Sequence, residues 1–381
     1  MTLLVYANDG ESVYDSFFLN YLLKNNQVYF LTFNEGPISV PKGVRVVEIS
    51  EPFHPTISPL AGLNAFLGSL LRSILLKQRL SQIKPAVLIG CGGLLYGFYF
   101  ALSNCSPFIL FIWGSDVLVA PRYLPFRFMA KYSLKKAAAV VVDSNVQEKA
   151  CISLGCDPGK IVKFPWVDLQ PILAQVNNNA GYYKRNAENL RRNVEWHEDN
   201  PIVISTRHHE PIYNLECLIQ AIPRVAKEIP TARFLILGKG GLTQKLKDSV
   251  AALGVGSSVK FVGQVPFAEI PKLLRMADIY VSTSLSDGTS ASLIEAMTCE
   301  IPVIVADIPG NREWIKDGFN GLLFPIKDSE ALAERMTRLL KDKNLGKSLA
   351  AKAYETVIEK ADWQRNSKLL DDLIASMTTL K

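Results

Sequence analysis

The segment SDGTSASLIEAMT (286–298) carries two carboxylates, Asp287 and Glu295, with small and hydroxylated residues between them. The preceding run IYVSTS reads as a strand, and Leu285-Ser286-Asp287-Gly288 as the turn that follows it. The pattern predicts a helix that begins near Thr289 and ends before Pro302, because the residue ahead of a proline leaves the helical region. The first N–H groups of such a helix lack intrahelical partners and sit at the positive end of its dipole. Gly288, Thr289, Ser290, Ala291 and Ser292 let a ligand approach closely, so the helix start is an anion pocket suited to phosphate. Glu295 lies about two turns in, and helical side chains lean toward the N-terminus. A carboxylate there repels phosphate but accepts hydroxyls, and a ribose offers two. Asp287, on the other side of the phosphate position, could hold a second hydroxylated group. Diphosphate at the helix end, ribose on Glu295 and sugar on Asp287 together describe a nucleotide-sugar. The spacing equally suits Asp287 as a turn or capping residue and Glu295 as a helix residue on a wet face.

The elements that must position these groups alternate along the chain. Over residues 1–168, TLLVYA, VYFLTF, VRVVEI, AVLIG, FILFIW and AAVVVD read as strands, and Leu63 to Lys84 as an amphipathic helix. Residues 169–200 are polar and Asn-rich, suited to a linker or surface helix. Alternation restarts with PIVIST, a helix near 215–228, RFLILG, a helix near 243–253, VKFVGQ, a helix near 267–276, IYVSTS and VIVAD. Two βαβ halves of similar size predict a two-lobed α/β protein with its ligand site in the cleft between parallel sheets.

Composition fits that plan. The 381 residues suggest two domains, and 48% hydrophobic with 20% charged residues allows each a core. Cys91, Cys105, Cys151, Cys156, Cys217 and Cys299 form no closely spaced pairs, so they read as reduced thiols of a cytoplasmic protein with no zinc site. His208 and His209 are adjacent and point apart, which argues against a shared metal. The opening MTLLVYANDGESVYD reads as a first strand, not a signal peptide. No charge occurs between Lys84 and Asp116, but Pro85, Gly92-Gly93, Asn104 and Ser106-Pro107 break that run into strand, loop, short helix and strand rather than a membrane span. The net charge of +6 is uneven: residues 52–142 hold nine Lys or Arg and one acid, Asp116.

The D-x7-E spacing followed by EAMTCEIPVIVA resembles the mark of the family-four retaining glycosyltransferases, which have the GT-B fold. GNREWIKDGFNGLLF (310–324) resembles the segment that follows in the family; ISTR (204–207), FLILGKG, VKFVGQV and FPWVDLQ (164–170) are similar to weaker family features. The resemblance implies two Rossmann-like domains facing each other across a deep cleft. The expected boundaries are 1–168 for an acceptor-binding domain and 169–361 for a nucleotide-sugar-binding domain, with a helix at about 362–381 packing back on the first. It implies that Arg207 contacts the donor diphosphate, that Glu295 binds ribose and that Asp287 binds the transferred sugar. Backbone at Thr289, Ser290, Ala291 and Ser292 should meet phosphate or sugar, backbone at Gly263, Gln264 and Val265 the base, and Gly10 should close over the diphosphate. Three departures stand out. The first acid is Asp rather than Glu. Tyr213 stands where the family has Lys, so Lys239 is the remaining candidate for a second diphosphate cation. Trp113 of WGSD stands where many members have His, leaving Asp116 as the polar candidate there.

The function expected is a metal-independent, cofactor-free transfer of a hexosyl unit, with retained configuration, from a nucleoside-diphosphate sugar, UDP-glucose first, to a lipid-linked or polysaccharide acceptor. Arg207, Asp287 and Asp116 are the candidate catalytic residues. The run PRYLPFRFMAK (121–131) mixes aromatics with cations and suits an anionic membrane surface, though a solvated charged face gives the same pattern. No nucleic-acid motif is present. The alternatives are a GT-B nucleotide-sugar epimerase, a degenerate transferase serving as a partner subunit, and a two-lobed sugar-binding protein.

Overall fold

The computed structural model describes residues 2–8, 13–33, 40–49, 61–91, 95–105, 107–167, 169–178, 196–197 and 199–379, with the backbone alone at 13–15, 61–67 and 175–178. The chain divides into two compact units, Met1–Trp166 with Gln364–Lys381, and Val167–Trp363.

The first unit is built on seven strands: β1 Thr2–Ala7, β2 Asn26–Thr32, β3 Arg45–Glu48, β4 Val87–Cys91, β5 Phe108–Phe111, β6 Ala139–Val142 and β7 Ile161–Lys163. They lie parallel in the order β3-β2-β1-β4-β5-β6-β7. The uncharged stretch after Lys84 supplies β4 and β5, which are buried throughout. Between them, the helix Leu95–Ser103 buries Tyr96, Phe98, Tyr99 and Phe100. Strands covered on both faces have no use for a charge, which is why this run is apolar. Among the described residues no helix is long and apolar enough to cross a membrane. The helix expected from Leu63 runs Ala61–Ile83 and sets Leu76 and Leu80 into the core.

The second unit has six parallel strands: β8 Ile202–Ser205, β9 Arg233–Leu237, β10 Val259–Gly263, β11 Ile279–Ser282, β12 Val303–Ala306 and β13 Leu322–Phe324. Their order is β10-β9-β8-β11-β12-β13. One face packs on the helix Leu215–Glu228, whose Leu215, Leu218, Ile219, Ile222 and Val225 recur at three and four. The other face packs on the helix Ala291–Thr298. Strand order reverses between β8 and β11, so the chain diverges to opposite faces there and leaves a crevice at the strand ends.

Two expectations shift. The segment expected as a helix over 267–276 is a 3₁₀ turn, Phe267–Glu269, followed by a helix, Ile270–Met276, with Pro271 in its first turn. The segment expected as a polar linker from 169 begins with a helix, Gln170–Asn178, whose Ile172 is buried beside Leu169; residues 179–195 lie outside the described residues. The chain ends in helices Ser329–Lys341, Lys343–Lys360 and Trp363–Thr379. The last belongs mostly to the first unit. There the Asn366 amide donates to the Pro165 carbonyl at 2.9 Å, and the Tyr21 hydroxyl to Asp371 at 2.7 Å.

Candidate active site

Arg207 follows β8, and residues 283–292 follow β11. These neighbouring strands flank the reversal point of the second sheet, so topology alone brings positions eighty residues apart together. The segment after β11 is tied to the 3₁₀ turn Pro211–Tyr213: the Thr283 hydroxyl donates to the Tyr213 carbonyl at 2.8 Å, and the Leu285 N–H to the Ile212 carbonyl at 2.8 Å.

Arg207 is the centre of the cluster. Its Nη1 donates to Ser290 Oγ and Ser292 Oγ, both at 2.7 Å. Its Nη2 donates to both carboxylate oxygens of Asp287, at 2.8 and 2.9 Å. The Tyr213 ring covers the guanidinium at 4.2 Å from its centroid. Tyr280, on β11 and fully buried, donates its hydroxyl to Ser292 Oγ at 2.8 Å. Burial works most strongly against the Arg207 charge, but Asp287 together with Tyr280 and Tyr213 more than offsets it and holds the guanidinium protonated well above its usual range. Burial likewise pushes the Tyr280 phenol up, so it stays a neutral donor.

The helix expected to begin near Thr289 begins at Ala291 and ends at Thr298. Ser290 is its N-cap in extended conformation, yet its side chain makes no cap bond, because its hydroxyl accepts from Arg207 instead. The helix ends where Glu300 turns left-handed (φ +55°) ahead of Pro302. Glu295 is buried, 4% exposed, among Leu293, Ile294, Ala296 and Met297, and so does not sit on a wet face. Thr289 accepts from the Trp314 indole N–H at 3.2 Å.

Two glycines set how closely the surrounding loops pack. Gly238, at φ +93°, comes so close that a Cβ would lie 2.6 Å from the Arg207 carbonyl oxygen. A Cβ on Gly310 would lie 2.2 Å from the Asp287 carbonyl oxygen and 2.6 Å from that of Gly288.

Gly263 ends β10 and its carbonyl accepts from the Gly238 N–H at 2.8 Å; Gln264 is exposed, and Val265 packs against the core. Lys239 is exposed in the loop after β9. The neighbouring histidines do point apart: His208 is exposed, whereas His209 is buried with Nε2 donating to the Leu237 carbonyl at 3.1 Å and Nδ1 at 2.8 Å from Thr243 Oγ1. No group of His, Cys, Asp or Glu among the described residues could hold a metal ion. Asp116 belongs to the first unit, where its carboxylate accepts from the Trp113 backbone N–H at 2.9 Å. Gly10 lies outside the described residues.

Sequence reasoning missed the parts played by Tyr280, Trp314 and Gly310, and read Tyr213 only as a lost cation. A hydroxyl within the otherwise apolar strand IYVS was a usable signal for Tyr280, since a buried phenol finds a partner.

A cation, two hydroxyls and a carboxylate converge at a helix start at a sheet reversal. Such an arrangement can bind an anion and stabilise charge that develops on a departing one. The family described as "Glycosyl transferases group 1" matches residues 186–356, and that described as "Glycosyl transferase 4-like" matches residues 3–144. The putative glycosyltransferase EpsD of Bacillus subtilis is 28% identical over 190 residues, 50% of this chain and 49% of its own length. The UDP-Gal:alpha-D-GlcNAc-diphosphoundecaprenol alpha-1,3-galactosyltransferase of Escherichia coli is 26% identical over 233 residues, 58% of this chain and 56% of its own. The chain thus spans about half the length of these curated relatives. The Anabaena protein HepE, solved in complex with UDP-glucose, superposes with a TM-score of 0.76 over 98% of this chain and 100% of that one, at 16% identity. Both units are parallel α/β sheets of the GT-B kind, and the chain belongs to the family-four glycosyltransferases.

Proposed function

We propose that the protein transfers a hexosyl unit from a nucleoside-diphosphate sugar, UDP-glucose first, to a lipid-linked or polysaccharide acceptor, retaining the anomeric configuration. The observation that carries this reading is the buried Arg207 held at the helix start by Asp287, Ser290 and Ser292. In the reaction the bond from the anomeric carbon to the diphosphate oxygen breaks, and a bond to the acceptor oxygen forms. The acceptor proton passes to the departing diphosphate. Arg207 and the helix N-terminus stabilise the charge that gathers on that diphosphate, Glu295 holds the ribose and Asp287 holds the sugar. The family and the named chemistry of the relatives support the donor class: HepE was solved with UDP-glucose, and the Escherichia coli relative is named for UDP-Gal and a diphosphoundecaprenol acceptor.

The acceptor side of the proposal rests on the helix Leu124–Lys136. Tyr123, Leu124, Phe126 and Phe128 are exposed, Leu124 at 80%, beside exposed Arg122, Arg127, Lys131, Lys135 and Lys136. Apolar side chains that dip into a bilayer, ringed by cations, suit an anionic membrane at which a lipid-linked acceptor resides.

Calorimetric titration of UDP, GDP and ADP tests the donor site. One of them binds the wild type, and Glu295→Gln weakens it; binding of none refutes the reading. Co-sedimentation with anionic vesicles tests the surface. Binding that falls with Leu124→Ser and Phe128→Ser supports it, and absence of binding at low salt rejects it.

A further inference from the structure

Both terminal nitrogens of the Arg207 guanidinium are already engaged, Nη1 by two serine hydroxyls and Nη2 by the Asp287 carboxylate. Nε is buried and unpartnered, closed off from any ligand. One face is covered by Tyr213 at 4.2 Å. The two serines bonded to Nη1 are themselves buried, and Ser292 is held from behind by the buried Tyr280. The side of the cluster that reaches solvent is Asp287, with 15% of its side chain exposed against 8% for Arg207. A diphosphate that is to bind Arg207 must therefore take the place of the Asp287 carboxylate on Nη2.

We propose that Asp287 is the resident counter-ion of Arg207, that the donor diphosphate displaces it, and that the freed carboxylate then turns to the sugar. This rests on the donor-site reading above and adds to it an order of events. The carboxylate is available to the sugar only once a diphosphate is in place, so a free sugar finds Asp287 occupied. A monophosphate or nucleoside, with less charge to exchange, displaces it poorly. Tyr213 contributes by holding the guanidinium on its face, which keeps Nη2 as the edge where exchange occurs. Charge alone makes the exchange reasonable: an anion of higher charge replaces a single carboxylate at an unchanged cation.

The test is calorimetric titration of UDP, with GDP and ADP in parallel, into wild type, Asp287→Asn, Arg207→Gln and the double variant, each confirmed folded by its thermal transition. Asn preserves size but surrenders the charge, and Asp287→Ser is a second variant of the same sign. The expected result is that Asp287→Asn binds the diphosphate about tenfold tighter than wild type, that uridine affinity is unchanged, and that the gain disappears in the Arg207→Gln background. A diphosphate affinity that is unchanged or weaker in both Asp287 variants overturns the exchange. A gain that persists without Arg207 also overturns it, since a mere field effect would then account for it. If none of the three nucleotides binds the wild type or Asp287→Asn, the donor-site reading fails first and the exchange falls with it.

Discussion

Gly310 offers the sharpest test of how the site is held. It is the second residue of the short helix Pro309–Arg312, which packs against the backbone of Asp287 and Gly288. In Gly310→Ala the new Cβ would stand 2.2 Å from the Asp287 carbonyl oxygen and 3.0 Å from its carbonyl carbon. Ordinary contact between such atoms is about 1 Å longer than the shorter of these, and both partners are backbone, so no rotamer change relieves the clash. Either the helix or the Asp287–Gly288 turn must move by about that much. Overpacking of this kind costs about 1–3 kcal/mol. A displacement of about 1 Å in a positioned group can lower turnover by about a hundredfold, and here the displaced residue is the partner of Arg207. The assay is release of nucleoside diphosphate from UDP-glucose together with denaturant unfolding, with Gly256→Ala as the control because nothing lies within 4 Å of its added Cβ. Gly310→Ala with wild-type turnover and an unchanged unfolding midpoint would refute the argument that this contact sets the position of Asp287.

Further outcomes follow from the same geometry. Asp287→Ala leaves a buried guanidinium without its carboxylate, so it should lose about 3–5 kcal/mol in chemical denaturation as well as transfer; a loss under about 1 kcal/mol would mean that the pair is not closed in solution. Tyr280→Phe removes one buried hydrogen bond while Ser292 keeps Arg207, and should cost about 1 kcal/mol by the same measurement. Burial holds the His209 pKa below its usual value even though the Leu237 carbonyl favours the protonated ring. The unfolded chain therefore takes up a proton at about pH 6.5 that the folded chain resists. Stability should be flat above that pH and fall as pH drops through it toward the lowered folded value. His209→Gln should flatten that slope, as read from unfolding free energies between about pH 5 and 8.

Much of this architecture is legible in the sequence because the sheets are parallel and covered on both sides. Runs such as AVLIG, FILFIW and VIVAD can only be interior strands, and their alternation with amphipathic segments implies the winding order. The candidate acids stand out too, because Glu295 sits in an apolar helix and Asp287 precedes a run of small residues. The bond between Arg207 and Asp287 does not. It depends on two strand ends meeting across a sheet, and nothing local to either residue records it. The helix expected to begin near Thr289 begins at Ala291 with Ser290 as its N-cap, because adjacent hydroxyl residues at 289 and 290 do not mark locally which of them takes the cap position. Gly310 could be recognised as permissive, but the carbonyl it makes room for is distant in sequence. Lys239 stands out in the sequence by its charge alone, and what its loop packs against Arg207 is the backbone of Gly238.

The final helix bears on the order in which the molecule is made. Tyr21 and Asp371 are 350 positions apart, yet they bond at 2.7 Å, and Asn366 closes on Pro165 within the same unit. On a ribosome, the first unit waits with this surface uncovered while every residue of the second is synthesised. The second unit, continuous from Val167 to Trp363, has all its strands before the first has its last helix. Closing so long a loop adds little entropy over a moderately long one, so the delay is one of time rather than of free energy. During that interval the nascent chain lacks Leu370, Leu373 and Ile374, which are buried in the finished fold, and a chaperone that shields apolar surface would find its natural target where they later pack.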